Sequence, residues 1–171
     1  MFSVEKCTVP ANTLLYKYSM NGAYVDCYST EIHKSVSFPE FVFAFYTSPL
    51  FKLERLILKL AVSKPSTDSQ ARQLSDGETE KFAAWYVENR SESEMLMCDF
   101  LGRTRSWLMV APMNKGSGAR TRLYFGSVVV PIRNFKAGKR SLGFGFMTLL
   151  GFHKIYSRLL LYFAKSRVSR Q

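Results

Sequence analysis

The side chains able to do chemistry are few, and their spacing says which chemistry is open to them. Asp99 and Ser106 fall on opposite arms of a predicted β-hairpin and on the same face. A carboxylate beside a hydroxyl on an otherwise aliphatic surface can orient the polar end of a ligand, or trade a proton with it if burial tunes the acid. The plainer reading makes Asp99 the partner of a nearby arginine or of a backbone turn. His153 flanks the apolar stripe of a predicted C-terminal helix, as a satisfied flank residue or as a polar group lining a pocket. The other histidine, His33, is far away in the chain, and Cys7, Cys27 and Cys98 form no C-x-x-C pair. Metal sites need clustered ligands, so no metal is expected. An odd number of scattered cysteines points to reduced, buried thiols and a cytoplasmic setting. Gly116-Ser117-Gly118 and Gly143-Phe144-Gly145 do not complete a dinucleotide fingerprint, and neither a P-loop nor a G-x-S-x-G elbow occurs. No cofactor is expected, and no motif names a reaction. The segments 103–107 (RTRSW) and 120–124 (RTRLY) alternate arginine with aromatics. That pattern can stack bases, but Trp107 packing on Tyr124 across two strands accounts for it more simply, so nucleic acid is not expected.

The elements that must position these residues can be read from period and punctuation. Gly22–Ile32 is rich in Tyr, Val, Cys and Thr and reads as a strand. Ser37-Phe38-Pro39-Glu40 has the capping-box pattern and opens a helix. Ser48-Pro49 restarts a second helix, whose apolar stripe is Leu50, Leu53, Leu56, Ile57 and Leu60. Residues 63–77 are polar and predict a loop with one helical turn near Asp68–Leu74. Strands follow at Phe82–Glu88, Met95–Leu101, Thr104–Ala111 and Arg120–Ile132, an antiparallel meander. A basic loop at 134–143 leads into a helix from Phe144 to Lys165. In it Phe152, Ile155, Tyr156, Leu159, Leu160 and Phe163 form the cleanest amphipathic stripe of the chain.

Strand parity then assigns faces. A two-residue turn at Gly102-Arg103 pairs Asp99 with Ser106 and Met97 with Leu108, and a symmetric second hairpin pairs Trp107 with Tyr124. Met95, Met97, Asp99, Ser106, Leu108, Leu123, Phe125 and Ser127 then share one face, suited to a ligand or a covering helix. Leu96, Cys98, Arg105, Trp107, Arg122, Tyr124 and Val128 share the other. So much aromatic surface calls for a cover, either a second copy in a homodimer or the N-terminal arm.

Composition limits the rest. The chain has 171 residues, 47% hydrophobic and 22% charged, with net charge +11. That describes one globular domain and excludes disordered and low-complexity classes. Residues 1–20 are expected as an arm or edge strand and 166–171 as a frayed basic tail. No apolar run is long enough for a membrane-spanning helix, and the N-terminus lacks the pattern of a secretory signal. The charge is strongly divided. Residues 1–99 carry 10 Lys and Arg against 13 Asp and Glu, whereas residues 100–171 carry 14 Lys and Arg and no acid. Either the halves interleave and neutralise each other, or a basic face attracts an anionic ligand or a membrane surface.

The order strand, two bent helices, meander and long C-terminal helix resembles the helix-grip fold of the START-like and polyketide-cyclase-like superfamily. The resemblance rests on Phe41–Leu60, Phe82–Pro131 and Gly151-Phe152-His153-Lys154-Ile155-Tyr156. More narrowly, the chain is similar to bacterial proteins of that superfamily whose last helix also starts near a Phe-His pair. The resemblance implies an α+β fold, with a curved antiparallel sheet around the last helix and a pocket between them for an apolar or amphipathic small molecule; the basic half of the chain would give that pocket a positive rim and favour an anionic one. On that reading Met97, Leu108 and Phe125 line the pocket with Tyr156 and Leu160. Asp99, Ser106 and His153 orient the ligand's polar end. The rival readings are a cyclase or isomerase using Asp99 or His153 as general acid/base, and a basic protein bound peripherally to a membrane surface.

Overall fold

A computed structural model describes residues 4–113, 118–130, 132–133, 140–141 and 144–170; at 61–62, 132–133, 140–141 and 144–153 only the backbone is described. The elements in chain order are β1 (Glu5–Lys6), α1 (Tyr16–Met20), β2 (Tyr24–Ile32), α2 (Phe38–Tyr46), α3 (Pro49–Val62), α4 (Asp68–Ser75), β3 (Lys81–Phe82), β4 (Trp85–Arg90), β5 (Glu94–Asp99), β6 (Thr104–Met113), β7 (Arg120–Val129), β8 (Ile132–Arg133), β9 (Arg140–Ser141) and α5 (Phe144–Val168). The fold is α+β. Seven strands form an open antiparallel sheet in the order β1-β2-β7-β6-β5-β4-β3, and β8 pairs with β9 apart from it.

The helix starts are where the caps place them. The Ser37 hydroxyl accepts from Glu40 N, and Glu40 Oε2 accepts from Ser37 N at 2.7 Å. Ser48 accepts from Phe51 N and begins α3. Thr67 and Gln70 form a second capping box, which turns the expected single turn into the eight-residue α4. The expected strand Phe82–Glu88 is broken by Ala83, which takes a positive φ of 53°, so β3 and β4 meet at a tight turn.

Both long hairpins sit two residues away from the expected register. Met97 pairs with Ser106, and Trp107 with Gly126. The cause in the first hairpin is Asp99. Its carboxylate accepts from Arg103 N at 2.7 Å and Thr104 N at 3.0 Å, closing a longer loop than a two-residue turn. A shift of two preserves the face of every residue, because side chains alternate with period two. The Met97–Leu108–Phe125 face is accordingly the inner one. It packs under α2 and α5 with Phe41, Phe45, Tyr46 and Phe51 in the main core. Ring contacts Phe45–Phe125 at 5.0 Å and Tyr46–Phe82 at 5.1 Å knit helix to sheet.

The opposite face is covered by the chain itself. Leu15, wholly buried, inserts against Trp107, Tyr124 and Val128, with Cys7, Val9, Leu14 and Tyr18 around it. Of the two covers expected for this face, the N-terminal arm is the one in place: Trp107 is fully buried under it and Tyr124 nearly so. Trp107 and Tyr124 touch diagonally, ring centroids 6.0 Å apart, because Tyr124 lies opposite Met109. Two acids hold the arm down. Glu94 Oε2 accepts from Leu14 N at 2.9 Å and from Trp107 Nε1 at 2.7 Å. Glu88 accepts from Lys17 and Arg105, both at 2.9 Å, and from the Tyr18 hydroxyl.

Two further corrections concern the helices. Helix α5 does not fray at Lys165: Val168 is buried, and Lys34 Nζ donates to its carbonyl at 2.9 Å. The apolar stripe of α3 is not its buried side. Leu53, Leu56, Ile57 and Leu60 are at least half exposed, while Phe51 and Arg55 turn inward. The basic loop expected at 134–143 lies largely outside the described residues; of it, Arg140 and Ser141 form β9.

Candidate functional site

A chamber of about 500 Å³ opens between the inner sheet face and the helices. Phe45 comes from α2, while Leu50, Leu53, Glu54 and Ile57 come from α3. Trp85, Ser106, Phe125 and Ser127 come from the sheet, and Tyr156, Ser157 and Leu160 from α5. Apolar and aromatic side chains dominate, with a few polar groups set among them, the usual composition of a small-molecule pocket, and the volume falls within the range of roughly 300–1,000 Å³ typical of such sites.

Four of the eight residues expected to form a pocket are on this wall: Ser106, Phe125, Tyr156 and Leu160. Met97 and Leu108 lie deeper, fully buried in the core. Asp99 is not on the wall. Its carboxyl is committed to the backbone of the 99–104 loop, so the plainer reading of that acid holds and no geometry supports a proton-transfer role for it. The His153 side chain lies outside the described residues.

The acid that does reach the chamber is Glu54, half-buried on α3. The Tyr156 hydroxyl donates to its Oε2 across the α3–α5 contact. Burial pushes the Glu54 carboxyl above the ordinary carboxylate range, and the Tyr156 hydrogen bond only partly opposes it. Burial also raises Tyr156, reinforced by the neighbouring carboxylate. In both groups burial in the wall disfavours the charged form, and the hydrogen bond joins them as one polar unit. Deeper in, the wholly buried Tyr46 hydroxyl is held well above the ordinary phenol range by burial, which Ser106 eases. Ser157 Oγ is buried with no hydrogen-bond partner. A second inner-face acid, Asp26 on β2, accepts from Ser127 Oγ at 2.5 Å.

Of the arginines expected on the outer face, Arg105 borders the chamber, but its guanidinium turns away to Glu88, to the Tyr18 hydroxyl at 3.1 Å and to the Gly102 carbonyl. Arg122 pairs with Glu31 at 2.5 Å. Arg105 and Arg122, two of the four arginines of the Arg-aromatic echo, are thus ion-paired rather than presented as part of a row of cations.

No protein-family model matches the chain, and no curated protein shows significant similarity to it. The functional argument therefore stands on the site. Among the described residues no three His, Cys, Asp or Glu side chains gather as metal ligands, and no helix is long and apolar enough to cross a membrane.

Glu54 was legible in part. Leu50, Leu53, Glu54 and Ile57 follow i, i+3, i+4, i+7 spacing, which puts the acid on the helix face that carries three other chamber residues of α3. Ser157 and Asp26 carry no comparable local signal, because their burial comes from α5 lying over β2 and β7.

Proposed function

We propose that this chain is a START-like, helix-grip binding module that holds a hydrophobic or amphipathic small molecule in the chamber between sheet and helices. The observation that carries this reading is the apolar chamber with Glu54–Tyr156 and the unpartnered Ser157 hydroxyl in its wall. An apolar body gains from leaving water, and a few placed polar groups select its orientation. The strand order supports the family reading, with β2 closing the meander beside β7 and α5 packed on β2 and β7. The polar groups on the wall favour a ligand end that donates hydrogen bonds, an alcohol or an amine. An anionic end would find the arginine of the chamber lining, Arg105, already engaged by Glu88.

Native mass spectrometry of freshly purified protein, followed by titration with dodecanol, dodecylamine and dodecanoate, tests the reading. Retention of a co-purified small molecule, or uptake of the alcohol or amine ahead of the carboxylate, is the expected result. A uniformly empty protein that takes up none of the three rejects the binding module. Preference for dodecanoate rejects the donor assignment alone.

A second reading, peripheral attachment to an anionic membrane, is favoured by one observation. Leu53, Leu56, Ile57 and Leu60 are exposed along α3 beside the chamber, with Lys52 and Lys59 exposed on the same helix. Apolar side chains flanked by lysines suit a lipid surface. Co-sedimentation with vesicles containing phosphatidylserine, lost at high salt and weakened by Leu56→Asp, is the expected outcome; binding unaffected by both changes removes this reading.

A further inference from the structure

Two of the three thiols meet across the first strand pair. Glu5 lies opposite Ser29 and Lys6 opposite Tyr28, so the next rung sets Cys7 opposite Cys27. The rung is made: Cys7 N donates to the Cys27 carbonyl at 2.9 Å. Opposed, hydrogen-bonded residues of antiparallel strands have Cα atoms about 5.5 Å apart, a separation that disulfides commonly span. The two Sγ atoms are already 3.2 Å apart, so side-chain rotation is enough to join them.

The two sulfurs are also unlike in the way that directed oxidation needs. Cys27 is 1% exposed and out of reach of solutes. Cys7 is half-buried in the wall of an open depression of about 520 Å³, which Lys6, Ser29, Glu31, His33, Arg122 and Lys165 also line. The hydrogen bond with Cys27 outweighs burial and, helped by Ser29 and Arg122, brings the Cys7 thiol down to about 7. The same contact pushes Cys27 up. The two shifts favour thiolate on the accessible sulfur and the proton on its buried neighbour, the arrangement of an attacking and a resolving thiol.

We propose that Cys7 and Cys27 form a site of reversible oxidation, at which a hydroperoxide converts the two thiols to a disulfide that fastens the N-terminal arm to β2. The Cys7 thiolate attacks one peroxide oxygen, the O–O bond breaks, and the sulfur becomes a sulfenic acid while the other oxygen leaves and takes up a proton. The Cys27 sulfur then attacks the Cys7 sulfur, the S–O bond breaks, and the oxygen departs as water with the Cys27 proton. Two thiols lose two electrons in total, and the hydroperoxide is reduced by the same two.

Cys98, fully buried on β5, serves as the internal control. Full-length protein is treated with hydrogen peroxide, unfolded, alkylated and mapped by peptide mass spectrometry. Alkylatable thiols should fall from three to one, with Cys98 retained, a Cys7–Cys27 cross-linked peptide present, and all thiols restored by dithiothreitol. In Cys27→Ser the sulfenic acid on Cys7 should persist and be trapped by dimedone. The proposal is overturned if wild-type Cys7 proceeds to sulfinic acid without the cross-link, if Cys98 is oxidised first, or if the cross-link joins two chains. The wild-type map decides the matter whether or not the variant folds.

Discussion

At the scale of single residues, the acids divide into those that build the fold and the one that faces the chamber. Glu94 belongs to the first kind. Its buried carboxylate takes the Trp107 indole N–H and the Leu14 amide. Glu94→Ala strands both donors, and urea unfolding should show a loss of about 2–3 kcal/mol, with a smaller loss for Glu94→Gln, which keeps an acceptor. Equal effects of the two variants would show that the hydrogen bonds are not what Glu94 contributes. Glu54 is the other kind. Burial raises its folded-state pKa, against the Tyr156 hydrogen bond from α5, and the Tyr46 phenol of α2 faces it as well. A raised acid favours folding while protonated. Its contribution is fully present below the unfolded value of about 4.3 and is lost as pH rises through the folded pKa. Glu54→Gln, which stays neutral, should therefore be more stable than wild type at pH 8 and lose that advantage near pH 4. A constant difference in melting temperature across this range would contradict the assignment.

Among the elements, the N-terminal arm is the one whose role only packing defines. It acts as the second cover of the sheet, and its keystone contact is Leu15 over Gly126. A Cβ added at Gly126 would lie 2.4 Å from Leu15 Cδ2 and 3.1 Å from both the Asp26 carbonyl and the Trp107 ring. Gly126→Ala should cost on the order of 1–3 kcal/mol through overpacking. Hydrogen exchange should show residues 7–18 losing protection while the inner face keeps its own. Unchanged exchange in the arm would mean that it is held elsewhere. The glycine was a usable signal, since a glycine inside a strand marks a close approach, but the approaching residue lies more than a hundred positions away. The inner face was more legible. Its parity survived a two-residue error in both hairpins because an even shift leaves every side chain on its own side. The α3 stripe misled for the converse reason. Helical spacing shows that apolar residues share a side, and the packing of α2 and α5 decides whether that side is buried.

Across the whole molecule, the divided charge is partly reconciled in space. Arg105 and Arg122 of the basic half pair with Glu88 and Glu31 of the other, while Lys52 and Arg55 both hold Asp68. Arg122 holds Glu31 below the ordinary carboxylate range. Burial alone would raise Glu88 and Asp68, but their hydrogen-bonded partners outweigh it and lower both. Lowered acids stabilise the fold above their unfolded pKa and cease to do so as pH falls through the folded values. Melting temperature should therefore drop steeply below about pH 4. A flat acid limb would mean that these pairs contribute little. The amino-acid sequence by itself determined the α+β class, the capped helix starts, the meander and the inner side of its sheet, because caps and periodicities act between near neighbours in the chain. Only the tertiary structure decided that the outer face is closed by the protein's own arm, that Glu54 rather than Asp99 reaches the chamber, and that Cys7 faces Cys27. Each of these depends on segments distant in sequence being brought into contact, and on the burial that sets what a carboxyl, a phenol or a thiol can do once it is there.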